Sequence, residues 1–200
     1  MSVKSGERKH QILQALAALL ESPHRIKITT AALAAQLGMP ESSLYKHFSS
    51  KSKMFEALIE FIEQTLFALI NKILQEEECG EKQIEQILVL LLGFSQRNPG
   101  MTRILIGDAL VTENECLQLR INRLHDRLEA TLKQALRFAM TEQKISATLD
   151  VSAQAELLMC YVVGNWFQFV KSGFKRDPLE NWAAQRPVLF PRELYGEAII

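Results

Sequence analysis

The chain has 200 residues, 48% hydrophobic, 23% charged and 8% aromatic. That is enough apolar material for one or two packed domains, and it excludes a disordered chain, a collagen-like fibre and a disulfide mini-protein. Lys and Arg together number 23, as do Asp and Glu, so no overall basic excess advertises a nucleic-acid partner.

In chain order, the apolar spacing is helical throughout. Ile12, Leu13, Leu16, Leu19 and Leu20 open a helix over 6–21. Short helices follow at 30–36 and 40–47. A long one over 51–76 carries one stripe from Phe55 through Leu58, Ile62, Leu66 and Ile70 to Leu74. Further helices are predicted over 81–97, 100–106, 113–140, 150–172 and 178–185. In the seventh, Leu117, Ile121, Leu124, Leu128, Leu132 and Leu136 oppose Arg120, Arg123, Arg127 and Lys133. No stretch shows sustained strand alternation, so the fold class is all-α, with about nine helices. Residues 186–200 hold two prolines and a mixed tail, and are expected to be irregular.

The longest apolar run, 87–93, is about seven residues, against the roughly 18–20 a bilayer span needs. The first residues lack an apolar signal region, and Cys79, Cys116 and Cys160 are sparse and form no CxxC. The expected location is the cytoplasm, with reduced thiols. The chain shows no Gly-rich phosphate loop, no HExxH and no nucleophile elbow, and His10, His24, His47 and His125 lack metal-ligand spacing. Neither an enzyme nor a cofactor or metal is expected.

The charge is unevenly placed. Lys4, Arg8, Lys9, Arg25, Lys27, Lys46, Lys51 and Lys53 face only Glu7, Glu21 and Glu41 within residues 1–53, and the rest of the chain is correspondingly acidic. A basic head on an acidic body points the head towards a polyanion. Within it, residues 29–48 read TTAALAAQLGMPESSLYKHF. Thr29 is a natural N-cap, Ala31, Ala32 and Ala35 permit close packing, and Gly38 stands where a left-handed turn closes the helix. Helix, glycine turn, helix is the helix-turn-helix arrangement. In the second helix Leu44 and Phe48 face inward. Small polar side chains at its start suit a major groove, and Tyr45, Lys46 and His47 suit phosphate oxygens. Pro40 before this helix supplies no side-chain cap. Ser50 and Lys51 open the next helix and form another phosphate seat.

ITTAALAAQLG followed by LYKHFSSKSKMFEAL closely resembles the DNA-binding domain of TetR-type regulators. The resemblance implies a homodimer with two recognition helices in successive major grooves of a palindromic double-stranded DNA. It implies DNA contact by Thr29, Thr30, Ser43, Tyr45, Lys46, His47 and Lys51. It also implies two domains, a helix-turn-helix domain over 1–50 and a helical dimerisation and partner-binding domain over 51–200.

The body carries IEFIEQTL, ILVLLLGFSQRNPGMTRILIGDAL, LQLRINRLHDRLEATLKQALR and FVKSGFKRDP. These resemble the nucleoid occlusion factors of gammaproteobacteria, a branch of that family. The resemblance implies a nucleoid-associated protein that engages the tubulin-like division protein FtsZ through Phe61, Leu90, Gly93, Arg97 and Asn98. By spacing alone Phe61 reads as core, Gly93 as a packing residue and Asn98 as a helix end before Pro99. The branch has an arginine where this chain has Leu69, which weakens the electrostatic part of such a surface.

A ligand-responsive repressor is the alternative, with Phe94, Met101, Met159, Trp166, Phe167 and Phe169 around a cavity. A DNA-binding scaffold with another protein partner is a third. Leu157, Leu158, Tyr161, Val162 and Trp166, with the Leu117–Leu136 stripe, are the expected dimer interface.

Overall fold

The computed structural model describes residues 2–22, 28–111 and 113–191, with side chains from residue 6 onward. All regular structure among them is helical: α1 (Ser2–Leu20), α2 (Thr30–Gln36), α3 (Glu41–Leu44), α4 (Lys51–Glu76), α5 (Gly80–Arg97), α6 (Pro99–Leu105), α7 (Glu115–Thr141), α8 (Val151–Lys171) and α9 (Trp182–Leu189), with a 3-10 turn at Asp108–Leu110. No described helix is long and apolar enough to cross a membrane.

The described chain forms two compact units. The first comprises residues 1–64 and 98–121, and the second 65–97 and 122–200. The first is larger than the expected head, because the start of α4 and all of α6 fold with α1–α3.

In the first unit α6 packs on α1. The approach is so close that a Cβ on Gly100 would lie 2.0 Å from the Ala17 carbonyl oxygen. Buried Arg103 then closes the C-terminal end of α1. Its Nη1 donates to the carbonyls of Leu20 and Ser22 at 3.3 and 3.4 Å, and its Nε donates to Asp108 at 2.9 Å. A cation at a helix C-terminus meets the unpaired carbonyls and the negative end of the helix dipole. The segment PGMTRIL is thus a wedge under the first helix. Arg120 adds a bidentate ion pair with Glu63.

In the second unit α5 packs on α8. Trp166 is fully buried and its Nε1 donates to the Leu91 carbonyl at 3.1 Å. Gly80 opens α5 against α7, where a Cβ would come within 2.6 Å of the Ala139 backbone. The Arg127 guanidinium lies 3.5 Å from the centre of the Phe67 ring.

Several expectations are corrected. The expected dimer face is rotated about the α8 axis from the face that is exposed. Leu158, Val162 and Trp166 are completely buried, as are Leu128, Leu132 and Leu136, so these residues build the core of this chain. Tyr161 turns its hydroxyl to Gln185 of α9 at 2.8 Å. Of the five, Leu157 alone is exposed, at 52%. The last helix is displaced from 178–185 to Trp182–Leu189, because Asp177 caps Leu179 and Glu180 in a turn first. Residues 186–190 are ordered rather than irregular: Arg186 pairs with Glu85, Gln154 donates to the Leu189 carbonyl, and Leu189 and Phe190 are buried. Residues 192–200 of that expectation lie outside the described residues.

Candidate nucleic-acid interface and partner surface

The helix-turn-helix is built by local chemistry. Thr29 caps α2, its hydroxyl oxygen accepting from the Ala32 amide at 3.1 Å. Gly38 takes φ +62°, and the Met39 amide returns to the Ala34 carbonyl at 3.0 Å, closing α2 in the left-handed turn that glycine allows at no steric cost. Pro40 precedes α3 and makes no side-chain cap. The second helix is shorter than the expected 40–47. Regular α-helix ends at Leu44, and Tyr45, Lys46 and His47 form a turn. Both the His47 and Phe48 amides donate to the Leu44 carbonyl, at 2.9 and 3.0 Å, which tightens the chain before Ser50 starts a new helix. Buried Leu44 and Phe48 anchor this turn from beneath.

Ser43 and His47 are half-buried, whereas Thr29, Tyr45 and Lys46 are exposed. Thr30 donates to Glu41, and the Tyr45 hydroxyl donates to Thr30 at 3.5 Å, linking α2 to α3. Ser50 caps α4 by accepting from the Lys53 amide at 3.2 Å. Lys51 does not stand free: its Nζ reaches Glu113 at 2.5 Å and lies 5.5 Å from the Phe55 ring centre. Glu113 escaped the sequence reading, and so did Arg103. Each acts on a partner more than sixty residues away, a separation over which helical periodicity carries no signal.

The remaining positions fall in both units. In the first, Phe61 is half-buried and meets the His10 ring edge-on at 5.9 Å. Asn98 precedes α6, where its carbonyl accepts from the Thr102 amide and hydroxyl at 3.0 and 2.9 Å. In the second, Leu90, Gly93 and Arg97 share an open groove with Lys82, Glu85, Gln86, Val89 and Leu179. Gly93 does not serve close packing. The nearest atoms a Cβ there would meet are those of the Arg97 guanidinium, at an ordinary 3.6 Å. Leu69 is exposed and lines an adjoining groove with Lys72, Glu76, Gln86 and Leu90. In the first turn of α5, Glu81 is buried with Oε1 unpartnered among the described residues. Burial pushes its carboxyl from 4.5 up to about 6, with Arg186 pulling the other way.

Of the side chains expected around a ligand, Phe94, Met159, Trp166 and Phe169 are buried in the second unit, whereas Phe167 is 49% exposed.

Comparison with known proteins follows the same division. The tetR-family model of bacterial regulatory proteins matches residues 27–58, and a tetracyclin repressor-like C-terminal domain model of the SlmA type matches 81–194. A protein named nucleoid occlusion factor SlmA from Marinomonas sp. (strain MWYL1) is 49% identical over 189 residues, 94% of this chain and 96% of that one. Its namesake from Alteromonas mediterranea is 48% identical over 187 residues, 92% and 96% of the two chains. Among solved structures, a TetR-family regulator from Agrobacterium tumefaciens superposes with TM-score 0.79 at 18% identity, over 96% of this chain and all of the other. The Bacillus subtilis regulator FadR, solved with stearoyl-CoA, gives 0.74 at 14%, covering 91% and 97% of the two chains. These distant structures share the fold. With both domain models matched and near-half identity along almost the whole length, the chain belongs to the SlmA family of nucleoid occlusion factors within the TetR-type regulators.

Proposed function

We propose that the protein is a DNA-binding homodimer that antagonises FtsZ polymerisation and septum assembly over the chromosome. The observation that carries this reading is 49% identity over 94% of the chain to a protein named for nucleoid occlusion. The mechanism needs no bond chemistry. DNA places the dimer on the nucleoid, and a surface on the body engages FtsZ there.

The head geometry supports the DNA step. The Thr29 oxygen accepts an amide, which leaves its hydroxyl proton to donate to a phosphate. Lys46 and Tyr45 stand exposed at the end of α3, and the first amides of α4 lie beside Lys51. Thr30, Ser43 and His47 complete the set. Two such heads related by a twofold axis read a palindrome. For the dimer, α8 offers Leu157, Cys160, Gly164 and Phe167 outward at helical spacing, and a Cβ on Gly164 would meet nothing within 4 Å. A bare, partly apolar helix face of this kind fits a second copy. For FtsZ, the groove along α5 places apolar Leu90 and Val89 beside the exposed Arg97 cation. In the first unit, Phe61 and Asn98 are proposed as further FtsZ-binding residues.

Sedimentation of FtsZ with the purified protein, with and without a palindrome selected from a random pool, tests the reading. Polymer is expected to be lost when protein and DNA are both present. Arg97→Asp should keep DNA affinity and abolish the loss. FtsZ that pellets unchanged beside tight DNA binding would overturn the division-inhibitor reading and leave the head assignment standing.

A further inference from the structure

Lys51 is already occupied in the DNA-free protein, and its occupant is well held. Glu113 lies between the 3-10 turn and α7, its amide donating to the Leu110 carbonyl at 2.9 Å. Its side chain is only 12% exposed and that of Lys51 24%, so the pair is substantially withdrawn from water. A carboxylate at this depth is stable when paired and costly when left alone. A phosphate at the start of α4 would compete with Glu113 for the same ammonium group.

We propose that Glu113 is an internal competitor for the DNA phosphate: it holds Lys51 in the free protein, DNA binding breaks the pair, and the loop before α7 thereby sets DNA affinity. This rests on the assignment of Lys51 to a phosphate, and it goes beyond that assignment by giving a residue outside the helix-turn-helix control over its strength. The carboxylate holds affinity down in the way that an oppositely charged competitor must. A change in the position of Glu113 would release or tighten Lys51, so affinity for DNA becomes adjustable from outside the interface.

The test is a double-mutant cycle on the full-length protein, read by fluorescence anisotropy on the selected palindrome across a salt series. Lys51→Ala should weaken binding roughly tenfold and lower the salt slope by about one. Glu113→Gln, nearly the same size but uncharged, should tighten binding about fivefold at moderate salt. In the Lys51→Ala background the same change should have no effect, because the group competed for is gone. Equal tightening in both backgrounds would overturn the gate and leave only a general charge effect. Unchanged binding by Glu113→Gln, with Lys51→Ala weakened, would overturn the gate alone. Unchanged binding by Lys51→Ala would overturn the phosphate assignment itself.

Discussion

The two units of the molecule solve opposite problems. The first packs short helices with α1 and the start of α4, and specific polar contacts fix its joints: Thr29 on an amide, Arg103 on two carbonyls, Lys51 on Glu113, Arg120 on Glu63. The second is made of long helices held mainly by apolar burial, with α8 apolar on more than one side. The difference teaches where sequence reading is strong. A cap or a glycine turn is a local statement with one structural solution. An apolar stripe on a two-sided helix is an ambiguous one, since 3.6-residue periodicity marks a face without saying what covers it.

Substitutions on the inner and outer faces of α8 are expected to have opposite consequences. Trp166→Ala should cost about 3–5 kcal/mol in thermal or denaturant unfolding, through the lost burial, the cavity and the lost hydrogen bond to the Leu91 carbonyl. Leu157→Ser, nine residues away on the exposed face, should leave secondary structure intact and shift sedimentation velocity towards monomer. Equal destabilisation by both would mean that the two faces are not distinct.

Glycines give the next contrast. Gly100→Ala forces α6 away from the Ala17 carbonyl, and a loss of about 3 kcal/mol is expected, with weakened DNA binding. Gly93→Ala meets first a movable guanidinium and removes a helix-interior glycine, so a gain of about 1 kcal/mol is expected. Loss of FtsZ antagonism in that more stable variant would separate docking from folding at one residue.

Smaller in effect is the buried carboxyl of the second unit. Glu81 holds its proton more tightly when folded, titrating at about 6 rather than 4.5. The stability this confers is therefore present below pH 4.5 and is lost as the pH rises through 6. Glu81→Gln should raise the melting temperature at pH 7.5 by a few degrees, equivalent to about 1–2 kcal/mol, and flatten its dependence between pH 4.5 and 6.5. A variant that keeps the wild-type pH profile would remove Glu81 as its source.

The turn at Gly38, the cap at Thr29 and the span of α4 were legible in the residues, because each depends on neighbours within one helical turn. The early end of α3 was not. Leu44 and Phe48 have the spacing of a continuing helix, but both the His47 and Phe48 amides fold onto one carbonyl where α4 must begin. The residues of the proposed DNA and FtsZ surfaces were legible by motif alone, and physical spacing assigned Gly93 to packing that the structure does not contain.

The sequence by itself determined the all-helical class, the basic head with its glycine turn, and family membership, since composition, periodicity and motif are properties of the chain read in order. Only folding set which side of α8 is core, wedged PGMTRIL beneath α1 and gave Lys51 a carboxylate for company. Each of these joins residues far apart in sequence, and only folding brings their charges and surfaces within reach of one another.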